Sequence, residues 1–269
     1  MDSQTYRLGF IGAGKLAGSV IRGLLRAKFC SPGEIIASEP NENARGVLKN
    51  ETKIHLTTEN AEVAEKAAVI FVGVKPGVVL SVLRDAPMAN KLVISLAAGV
   101  RLSAMEAVTK ARVMRALTNT PSAICRAATA LARGDRTTNE DVDLARKIFS
   151  AIGVVVEIAE AQIDAVTALS GSGPAFVYTV IESLAQGGEK MGLAADVALT
   201  LATQTVLGAA QLAGETKMSP EELRRMVVTP GGTTAAGLAA MEKLKTSEGL
   251  IAAVEAAAKR GQEMAQENS

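Results

Sequence analysis

The sequence of 269 residues has little of the side-chain chemistry on which metal sites and histidine-based catalysis depend. It contains two cysteines, Cys30 and Cys125, and one histidine, His55. The cysteines form no C-x-x-C pair, so neither a metal cluster nor a disulfide framework is indicated, and a reducing, cytoplasmic compartment fits. His55 lies in the short apolar run 53–56, which predicts a strand residue and not a general base or zinc ligand. We therefore expect no bound metal.

Net charge and long apolar segments are also scarce. The 29 Lys and Arg residues against 28 Asp and Glu residues leave a net charge of +1, which gives no reason to expect nucleic acid as a partner. A strand pattern begins almost at the first residue, so we expect no secretory signal. The stretch 197–214 carries no charge, but three threonines and two glutamines interrupt it. We interpret it as a helix buried in protein and expect no membrane association.

The most informative segment is G-F-I-G-A-G-K-L-A-G at residues 9–18. A strand pattern runs into Gly12, Gly14 and Ala17, and a helical pattern follows. This order is typical of dinucleotide binding, because Gly12 permits the turn, Gly14 lets backbone approach phosphate and Ala17 allows close packing of helix on strand. The N–H groups and dipole of the helix start favour the pyrophosphate. A plain glycine turn is the alternative.

The patterns on the two sides of residue 160 differ. Before it, strand and helix signals alternate, which predicts an α/β domain over residues 1–160, a Rossmann-like doubly wound parallel sheet. Its predicted strands are 6–11, 34–38, 53–56, 68–73, 91–95, 112–116, 126–132 and 153–158. Its predicted helices are 14–28, 41–50, 60–66, 76–86, 101–109 and 138–150. After residue 160, alanine-rich stretches predict an all-helical domain over 161–269, with helices at 161–169, 174–191, 195–213, 220–227, 234–244 and 247–266.

The helices of the second half are apolar around most of their circumference and need cover on most sides. Small residues such as Gly208, Ala209 and Ala210 allow helices to approach closely. We therefore expect a homodimer through the C-terminal helices, with a larger homo-oligomer left open. A compact monomeric bundle is the alternative.

Two further glycine-rich segments interrupt the helical half, L-S-G-S-G-P-A at 169–175 and V-T-P-G-G-T-T at 228–234. Both place small, bendable backbone before a helix start, where N–H groups and hydroxyls can bind a small anion such as a carboxylate. Two well-capped helix breaks are the alternative. Because a nucleotide-binding domain precedes them and the hydride acceptor must also be bound, we favour these segments as the site of that acceptor.

Together these segments closely resemble the pyrroline-5-carboxylate reductase family. The matching stretches are the opening glycine motif, V-G-V-K-P at 72–76, S-L-A-A-G-V at 95–100, L-T-N-T-P at 117–121, I-D-A-V-T-A-L-S-G-S-G-P-A at 163–175, K-M-G-L at 190–193 and T-P-G-G-T-T at 229–234. The resemblance implies an NAD(P)H-dependent oxidoreductase that acts on a C=N bond. Its substrate would be the cyclic imine L-1-pyrroline-5-carboxylate and its product L-proline, in the final step of proline biosynthesis.

The resemblance also implies which positions form the site, with either NADPH or NADH as cofactor. The cofactor positions are Ile11, Gly12, Ala13, Gly14, Lys15 and Leu16 at the pyrophosphate, Ser38, Glu39 and Asn60 near the adenosine, Val74, Lys75 and Pro76 along the cofactor, and Ala97 and Ala98 on the nicotinamide side. The substrate positions are Glu160, Thr229, Gly231, Gly232, Thr233 and Thr234. In the family the loop N–H groups hold the substrate carboxylate, and the hydroxyl matching Thr234 bonds the ring nitrogen, which makes Thr234 the catalytic candidate. For Lys75 an ordinary surface lysine, and for Glu160 a solvated glutamate at a helix start, are the alternatives.

Glu39 departs from the family pattern. It stands at the end of the second predicted strand, 22 residues after Ala17, where many relatives have a small hydroxyl residue beside the 2′-phosphate of NADP. An acidic residue there suits the free ribose hydroxyls of NAD. We therefore expect NADH to serve at least as well as NADPH. The alternative is that Glu39 turns into solvent and that Ser38 and Asn60 hold the phosphate.

Val228 stands where relatives usually have a hydroxyl residue, but Thr229 keeps its hydroxyl, so we expect altered affinity and not lost activity. Met226 stands at a place that is polar in some relatives, which leaves a side-chain contact there open.

Two other functions are compatible with the sequence. A different imine or β-hydroxyacid reductase on the same two-domain plan would use a lysine of the helical domain. Lys190 stands at a plausible place, although its K-M-G-L context fits the resemblance better. A catalytically silent nucleotide-binding regulator is the second alternative, against which the intact P-G-G-T-T segment argues.

Overall fold

The structure is a computed structural model and describes residues 5–268, which form two compact units. The first unit takes in the described residues up to Ser172 together with those from Glu255 onward, and the second is Gly173–Val254. Residues 1–4 and 269 of the two predicted domains lie outside the described residues. The predicted boundary near residue 160 stays a prediction, since the last strand ends at Glu157 but residues 161–172 group with the sheet.

One eight-stranded sheet forms the centre of the first unit. Its strands are β1 (Tyr6–Ile11), β2 (Ile35–Ser38), β3 (His55–Thr57), β4 (Ala67–Val72), β5 (Leu92–Ser95), β6 (Arg112–Leu117), β7 (Ala127–Arg133) and β8 (Gly153–Glu157). Their order is β3-β2-β1-β4-β5-β6-β7-β8, and the first six strands in sequence are all parallel. This confirms the predicted Rossmann-like sheet.

The last two strands extend the sheet with reversed direction. β7 is antiparallel to β6, with Met114 opposite Arg133 and Leu117 opposite Ala130, and β8 is parallel to β7. A parallel return would require a crossover of about a dozen residues or more. The link 118–126 is shorter and contains only a 3-10 turn, Thr120–Ile124. The sheet as a whole is therefore mixed.

Six helices cover the two faces of this sheet. They are α1 (Lys15–Arg26), α2 (Glu42–Thr52), α3 (Asn60–Lys66), α4 (Pro76–Asp85), α5 (Leu102–Val108) and α6 (Asn139–Ser150). Alternate residues along the strands point to opposite faces. Accordingly Phe10 and Phe71 lie in one apolar cluster, with ring centroids 4.6 Å apart, whereas Ile11 and Ile70 lie in the other. Covering both faces explains the nearly continuous apolar runs of β1 and β4.

Helices make up the rest of the chain that the structure describes. The first unit continues with α7 (Ile163–Val166) and a π-helix (Thr167–Gly171). The following helices are α8 (Gly173–Lys190), α9 (Ala195–Thr216), α10 (Pro220–Val227), α11 (Thr233–Lys243) and α12 (Thr246–Glu267). The second unit ends within α12, and the later residues of that helix belong to the first unit. This confirms the predicted all-helical C-terminal region.

The second unit buries little of its apolar surface within one chain. Its buried cluster consists of Ala185, Ala198 and Ala202, at the contact of α8 with α9. By length and composition α9 is the one helix in residues 5–268 that could cross a membrane. Of its most apolar 18-residue window, 11% is buried. Length and composition are weak evidence of a span, because a helix covered by protein has the same features. Among residues 5–268, α8 is the one element that packs closely on α9, so a single chain does not provide the burial expected for 197–214.

Candidate functional site

The turn after β1 requires a glycine at residue 12. Gly12 has φ +83°, and a Cβ there would lie 2.7 Å from Val74 Cγ1 and 3.0 Å from the backbone of Gly73. The N–H groups of Gly12 and Ala13 both donate to the carbonyl of Ser38, at 3.0 and 2.9 Å. β1 stands between β2 and β4, where the strand order reverses, and ligands of doubly wound sheets bind outside the strand ends at such a point.

The start of α1 is open and has no side-chain cap. Gly14 occupies the N-cap position, and a Cβ added to it would meet nothing within 4 Å. The first helical turn contains no acidic residue, and its first backbone bond runs from Gly18 N–H to the Gly14 carbonyl. The N–H groups of residues 15–17 are therefore free to meet an anion at the positive end of the helix. Open space and uncapped donors fit a dinucleotide pyrophosphate.

The packing of α1 on β4 explains the small residue that follows this turn. Ala17 is buried, and a Cβ on Gly73 would lie 2.9 Å from the Ala17 Cβ. The Gly73 N–H donates to the Ile11 carbonyl at 2.8 Å. Helix and strand therefore approach so closely that neither position accepts a larger side chain.

Polar side chains gather at the end of β2. The Ser38 hydroxyl donates to Asn60 Oδ1 at 2.7 Å. Glu39 is 8% exposed, and its Oε1 accepts the Asn41 N–H at 2.9 Å. The Arg45 guanidinium donates to the Glu39 carbonyl at 2.8 Å. The structure thus brings the predicted adenosine residues together and places Arg45, which no sequence motif singled out, beside them. The only sequence signal for Arg45 was a basic residue early in the helix after β2.

The loops after β4 and β5 lie side by side. The Leu96 N–H donates to the Val72 carbonyl at 2.9 Å. Lys75 is exposed and stands at the N-cap of α4, with Pro76 at the first helical position. The predicted nicotinamide-side residues Ala97 and Ala98 follow β5 and are buried and half-buried. The candidate positions after β1, β4 and β5 therefore share the carboxyl edge of the sheet.

The end of α12 supports the loop after β5. Gly99 has φ +64°, and a Cβ added to it would lie 2.8 Å from Met264 Cβ. A Cβ on Gly77 would lie 3.6 Å from Asn268 Oδ1. Met264 and Asn268 therefore lie beside the loop after β5 and the first turn of α4, a contact that the sequence did not indicate.

Glu160 is held by two buried donors of the first unit. Its Oε1 accepts the Leu102 N–H at 2.6 Å, at the start of α5, and Arg115 Nη1 at 3.0 Å. Arg115 lies in β6 and is 1% exposed, whereas the Glu160 side chain is 24% exposed. Burial lowers the pKa of the Arg115 guanidinium, and the Glu160 carboxylate acts in the opposite direction. The solvated glutamate considered above does not describe this residue.

The surroundings of this ion pair hold a second one. Arg101 Nη2 lies 3.6 Å from the Asp164 carboxylate, and Asp164 is buried. Arg115 Nε and Nη2 have no hydrogen-bond partner among residues 5–268. Glu160 therefore provides the one hydrogen bond of this guanidinium among the described residues. The sequence signal for a buried ion pair was a lone arginine inside the apolar strand V-M-R-A-L.

The L-T-N-T-P and S-G-S-G-P-A segments are joined by one side chain. Asn119 Nδ2 donates to the Ser170 carbonyl at 3.0 Å, and Asn119 Oδ1 accepts the Ala128 N–H at 3.2 Å. Ser170 belongs to the π-helix, an irregularity frequent at functional sites. Asn119 thus fixes the π-helix to the start of β7.

The segment 228–234, in the second unit, forms an open helix start. Gly231 has φ +72°, and a Cβ on Gly232 would collide with the Thr229 hydroxyl. Gly232 is the N-cap of α11, no side chain caps this helix, and its first turn has no acidic residue. Thr234 is half-buried in that turn. The uncapped N–H groups of residues 233–235 can bind a carboxylate at this helix end.

The described residues contain no candidate metal site. Between residues 5 and 268, no three His, Cys, Asp or Glu side chains are grouped so that they could hold a metal ion. His55 opens β3, as predicted, with Nε2 3.6 Å from Glu62 Oε1. The cofactor candidates and Glu160 belong to the first unit, and the loop 229–234 belongs to the second.

Comparison with known proteins gives matches along most of the chain. The family model for NADP oxidoreductase, coenzyme F420-dependent, matches residues 7–99, and that for pyrroline-5-carboxylate reductase dimerisation matches residues 160–264. The chain is 40% identical over 269 residues to the pyrroline-5-carboxylate reductase of Methanosarcina acetivorans, which covers 98% of this chain and 99% of the relative. It is 38% identical over 271 residues to that of Arabidopsis thaliana, covering 99% and 98%. A crystal structure of Plasmodium falciparum pyrroline carboxylate reductase with NADP bound matches with a TM-score of 0.89 at 28% identity, covering 97% of this chain and 99% of that one.

Proposed function

The chain belongs to the pyrroline-5-carboxylate reductase family, and on that premise we propose how its residues divide the work of the reaction. It is an NAD(P)H-dependent oxidoreductase that reduces the C=N bond of L-1-pyrroline-5-carboxylate and forms L-proline, the final step of proline biosynthesis. It works on this small molecule as a homo-oligomer. Family membership favours this function over the two alternatives, a reductase with Lys190 as catalytic residue and a silent regulator.

The chemistry needs few protein groups. A cyclic imine is readily protonated, and the iminium carbon is then electrophilic, while the bound nicotinamide supplies the hydride. The protein must hold the two reactants at about 3–3.5 Å in aligned geometry, an effect worth roughly 7–11 kcal/mol. The catalytic task of this chain is therefore mainly to bind and orient.

For the cofactor, we assign the pyrophosphate to residues 11–16 at the uncapped start of α1. The support is the open space at Gly14 together with the left-handed turn at Gly12. The remaining assigned cofactor positions are Ser38, Glu39, Asn60, Val74, Lys75, Pro76, Ala97 and Ala98. Ser38 ends β2, and the others follow the carboxyl ends of parallel strands or begin the next helix, where ligands of such sheets bind.

For the substrate, we assign the carboxylate to the N–H groups at the start of α11, with Thr229, Gly231, Gly232 and Thr233 shaping the loop. The observation that carries this assignment is a helix start kept uncapped by a left-handed Gly231 and a Gly232 that leaves no room for a side chain. The Thr234 hydroxyl would form a hydrogen bond with the ring nitrogen and pass it a proton through water. Glu160 Oε2, which has no hydrogen-bond partner among the described residues, remains free for a contact with the substrate.

Kinetics of Thr234→Ala test the catalytic assignment. A hydrogen bond to a charged group is worth about 1.5–3 kcal/mol. We therefore expect kcat/KM for the imine to fall roughly 10- to 150-fold. Thr234→Ser keeps the hydroxyl and should retain most of the activity. Unchanged turnover and substrate affinity in Thr234→Ala would remove this residue from the mechanism.

Glu39 is the basis for a proposal about cofactor choice. Two unit charges about 4 Å apart repel by roughly 1 kcal/mol in water and about 4 kcal/mol at an intermediate dielectric. A 2′-phosphate beside the Glu39 carboxylate would meet this cost, whereas ribose hydroxyls can donate to it. We propose that NADH serves this enzyme at least as well as NADPH.

The exposed apolar helices support a homodimer through the C-terminal domain, residues 161–269. Leu199, Leu207 and Leu212 of α9 are all exposed in the single chain. In the same unit, a groove of about 540 Å³ is lined by apolar residues of α8 and α12, among them Phe176 and Leu250. We propose that a second copy covers these surfaces, that α9 is not a membrane span, and that the enzyme is cytoplasmic. Light scattering that finds a monomer at micromolar concentration would contradict the dimer.

A further inference from the structure

We propose that Arg45 is a specificity-determining residue that binds the 2′-phosphate of NADPH and offsets the repulsion from Glu39. This inference rests on the proposed adenosine site and goes beyond it. Glu39 alone predicts discrimination against the phosphate. With Arg45 beside it, the enzyme can use both nicotinamide cofactors.

The first step of the argument is the position of Arg45. It lies in the first turn of α2, and its N–H donates to the carbonyl of the N-cap residue Asn41 at 2.9 Å. Its Nη1 donates to the carbonyls of Glu39 at 2.8 Å and Pro40 at 3.2 Å. The guanidinium is therefore fixed over the two residues that follow β2, instead of extending into solvent.

The second step is the place of these residues in the cofactor site. Ser38 ends β2, and its carbonyl accepts the N–H groups of Gly12 and Ala13 from the glycine turn. The anchor points of Arg45 are the next two residues along the chain. Arg45 thus lies at the same sheet edge as the proposed pyrophosphate site, where the second strand of such folds meets the adenosine ribose.

The third step is the charge balance. The Glu39 carboxylate turns back to the Asn41 N–H and makes no ion pair with Arg45. In residues 5–268, no carboxylate lies within ion-pair distance of Arg45, and its Nε and Nη2 make no hydrogen bond. Arg22 of α1, in contrast, donates to Glu51 Oε2 through Nε at 2.8 Å. Arg45 therefore has no acidic partner in the described chain and has free donors for an external anion.

The chemistry of these free donors selects the ligand. A guanidinium pairs with phosphate through parallel charge-assisted hydrogen bonds that a lysine cannot reproduce. An uncharged ribose offers no such partner, so NADH would rely on Glu39 and NADPH on Arg45. Arg45 therefore affects the phosphorylated cofactor specifically.

A binding experiment tests this assignment without turnover. Calorimetric titration compares adenosine 2′,5′-bisphosphate with adenosine 5′-monophosphate on the wild type, Arg45→Ala, Arg45→Lys and Glu39→Ser. We expect Arg45→Ala to lower the affinity ratio of bisphosphate to monophosphate about tenfold or more, equivalent to roughly 1.4 kcal/mol. Arg45→Lys should give an intermediate ratio, and Glu39→Ser should raise it. Lys49→Ala, a cation farther along the same helix, is the matched control and should leave the ratio unchanged.

The outcomes separate this inference from the proposed function. If Arg45→Ala changes the ratio by less than about twofold, the inference is overturned, while reduction of the imine with NADH by the wild type would leave the function standing. If neither nucleotide binds the wild type, the proposed adenosine site and this inference both fail. Should Arg45→Ala not fold, Arg45→Gln keeps an N–H donor for the two carbonyls and removes the charge. It should then show the same loss.

Discussion

Removing the carboxylate of Glu160 is predicted to destabilise the fold far more than its partial exposure suggests. In Glu160→Met the Arg115 guanidinium, 1% exposed, would lose its only hydrogen-bond acceptor in the described chain. The Leu102 N–H would lose its partner at the start of α5, where no side chain of the helix itself serves as a cap. Glu160 Oε1 accepts both hydrogen bonds, so one substitution removes both, and both losses lower the free energy of unfolding.

The magnitude follows from the burial of the two partners. Breaking a buried ion pair from one side costs about 3–5 kcal/mol, because the other charge stays buried. The 24% exposure of the Glu160 side chain places this pair near the lower end of that range, about 3 kcal/mol. Loss of a helix cap adds roughly 1 kcal/mol. We expect a total of about 3–4 kcal/mol, a large part of the roughly 5–15 kcal/mol that stabilises a typical protein.

The assay is denaturant unfolding followed by circular dichroism, at one protomer concentration for all variants, because an oligomer's stability depends on concentration. Glu160→Gln keeps an oxygen acceptor and should lose less stability than Glu160→Met. Arg115→Met combined with Glu160→Met should be more stable than Glu160→Met alone, since no unpaired charge stays buried. Asp143→Asn breaks the exposed pair with Arg146 and serves as the control with little expected effect. A loss below about 1 kcal/mol in Glu160→Met, or a double variant no more stable than it, would refute the reasoning.

Three further predictions concern the cofactor site and the pH dependence of stability. Values of kcat/KM measured with NADH and NADPH should be comparable or favour NADH, and a strong preference of the wild type for NADPH would contradict the proposal for Glu39. Gly14→Ala should fold normally, because its Cβ meets nothing within 4 Å, but it should bind either cofactor more weakly. Gly12→Ala should lose stability as well, because residue 12 has φ +83° and its Cβ would lie 2.7 Å from Val74. Equal effects of the two substitutions on the free energy of unfolding would contradict this distinction. Burial raises the pKa of the Asp141 carboxyl, but its bonds to Arg112 at 2.7 and 3.0 Å and to the Thr138 N–H outweigh burial and hold the pKa below its ordinary value. A depressed folded-state pKa stabilises the fold above the unfolded value of about 3.9, and this contribution is lost as the pH falls through the folded pKa. Unfolding free energies of the wild type and Asp141→Asn should therefore differ most at neutral pH and converge in acid, and a difference constant with pH would contradict the assignment.

The sequence predicted the parts of the fold that depend on local pattern. β4 was expected at 68–73 and spans Ala67–Val72, because a continuous apolar run has few other uses in an α/β chain. The glycine turn was recognised because Gly12 must adopt a conformation that other residues avoid. β7 runs antiparallel to β6 because the link 118–126 is too short for a parallel crossover. The length of this link can be read from the sequence only once the bounds of both strands are known.

The features that the sequence did not predict depend on residues far apart in the chain. Arg115 can be buried because Glu160, 45 positions later, accepts its hydrogen bond, and no local pattern connects the two. The contact of Met264 with Gly99 likewise joins the last helix to a loop of the sheet. Periodicity identifies helices and strands, but which charges become buried partners is decided only by tertiary packing.

Transfer of isotope from the cofactor tests the central claim most directly. NADH or NADPH that carries deuterium in the transferred position is incubated with the enzyme and L-1-pyrroline-5-carboxylate, and the product is analysed by mass spectrometry. The account predicts L-proline with one deuterium on Cδ, the former imine carbon, and none on the Cα that carries the carboxylate, formed in step with oxidation of the cofactor. Proline without deuterium, or no oxidation of either cofactor in the presence of the imine, would contradict it.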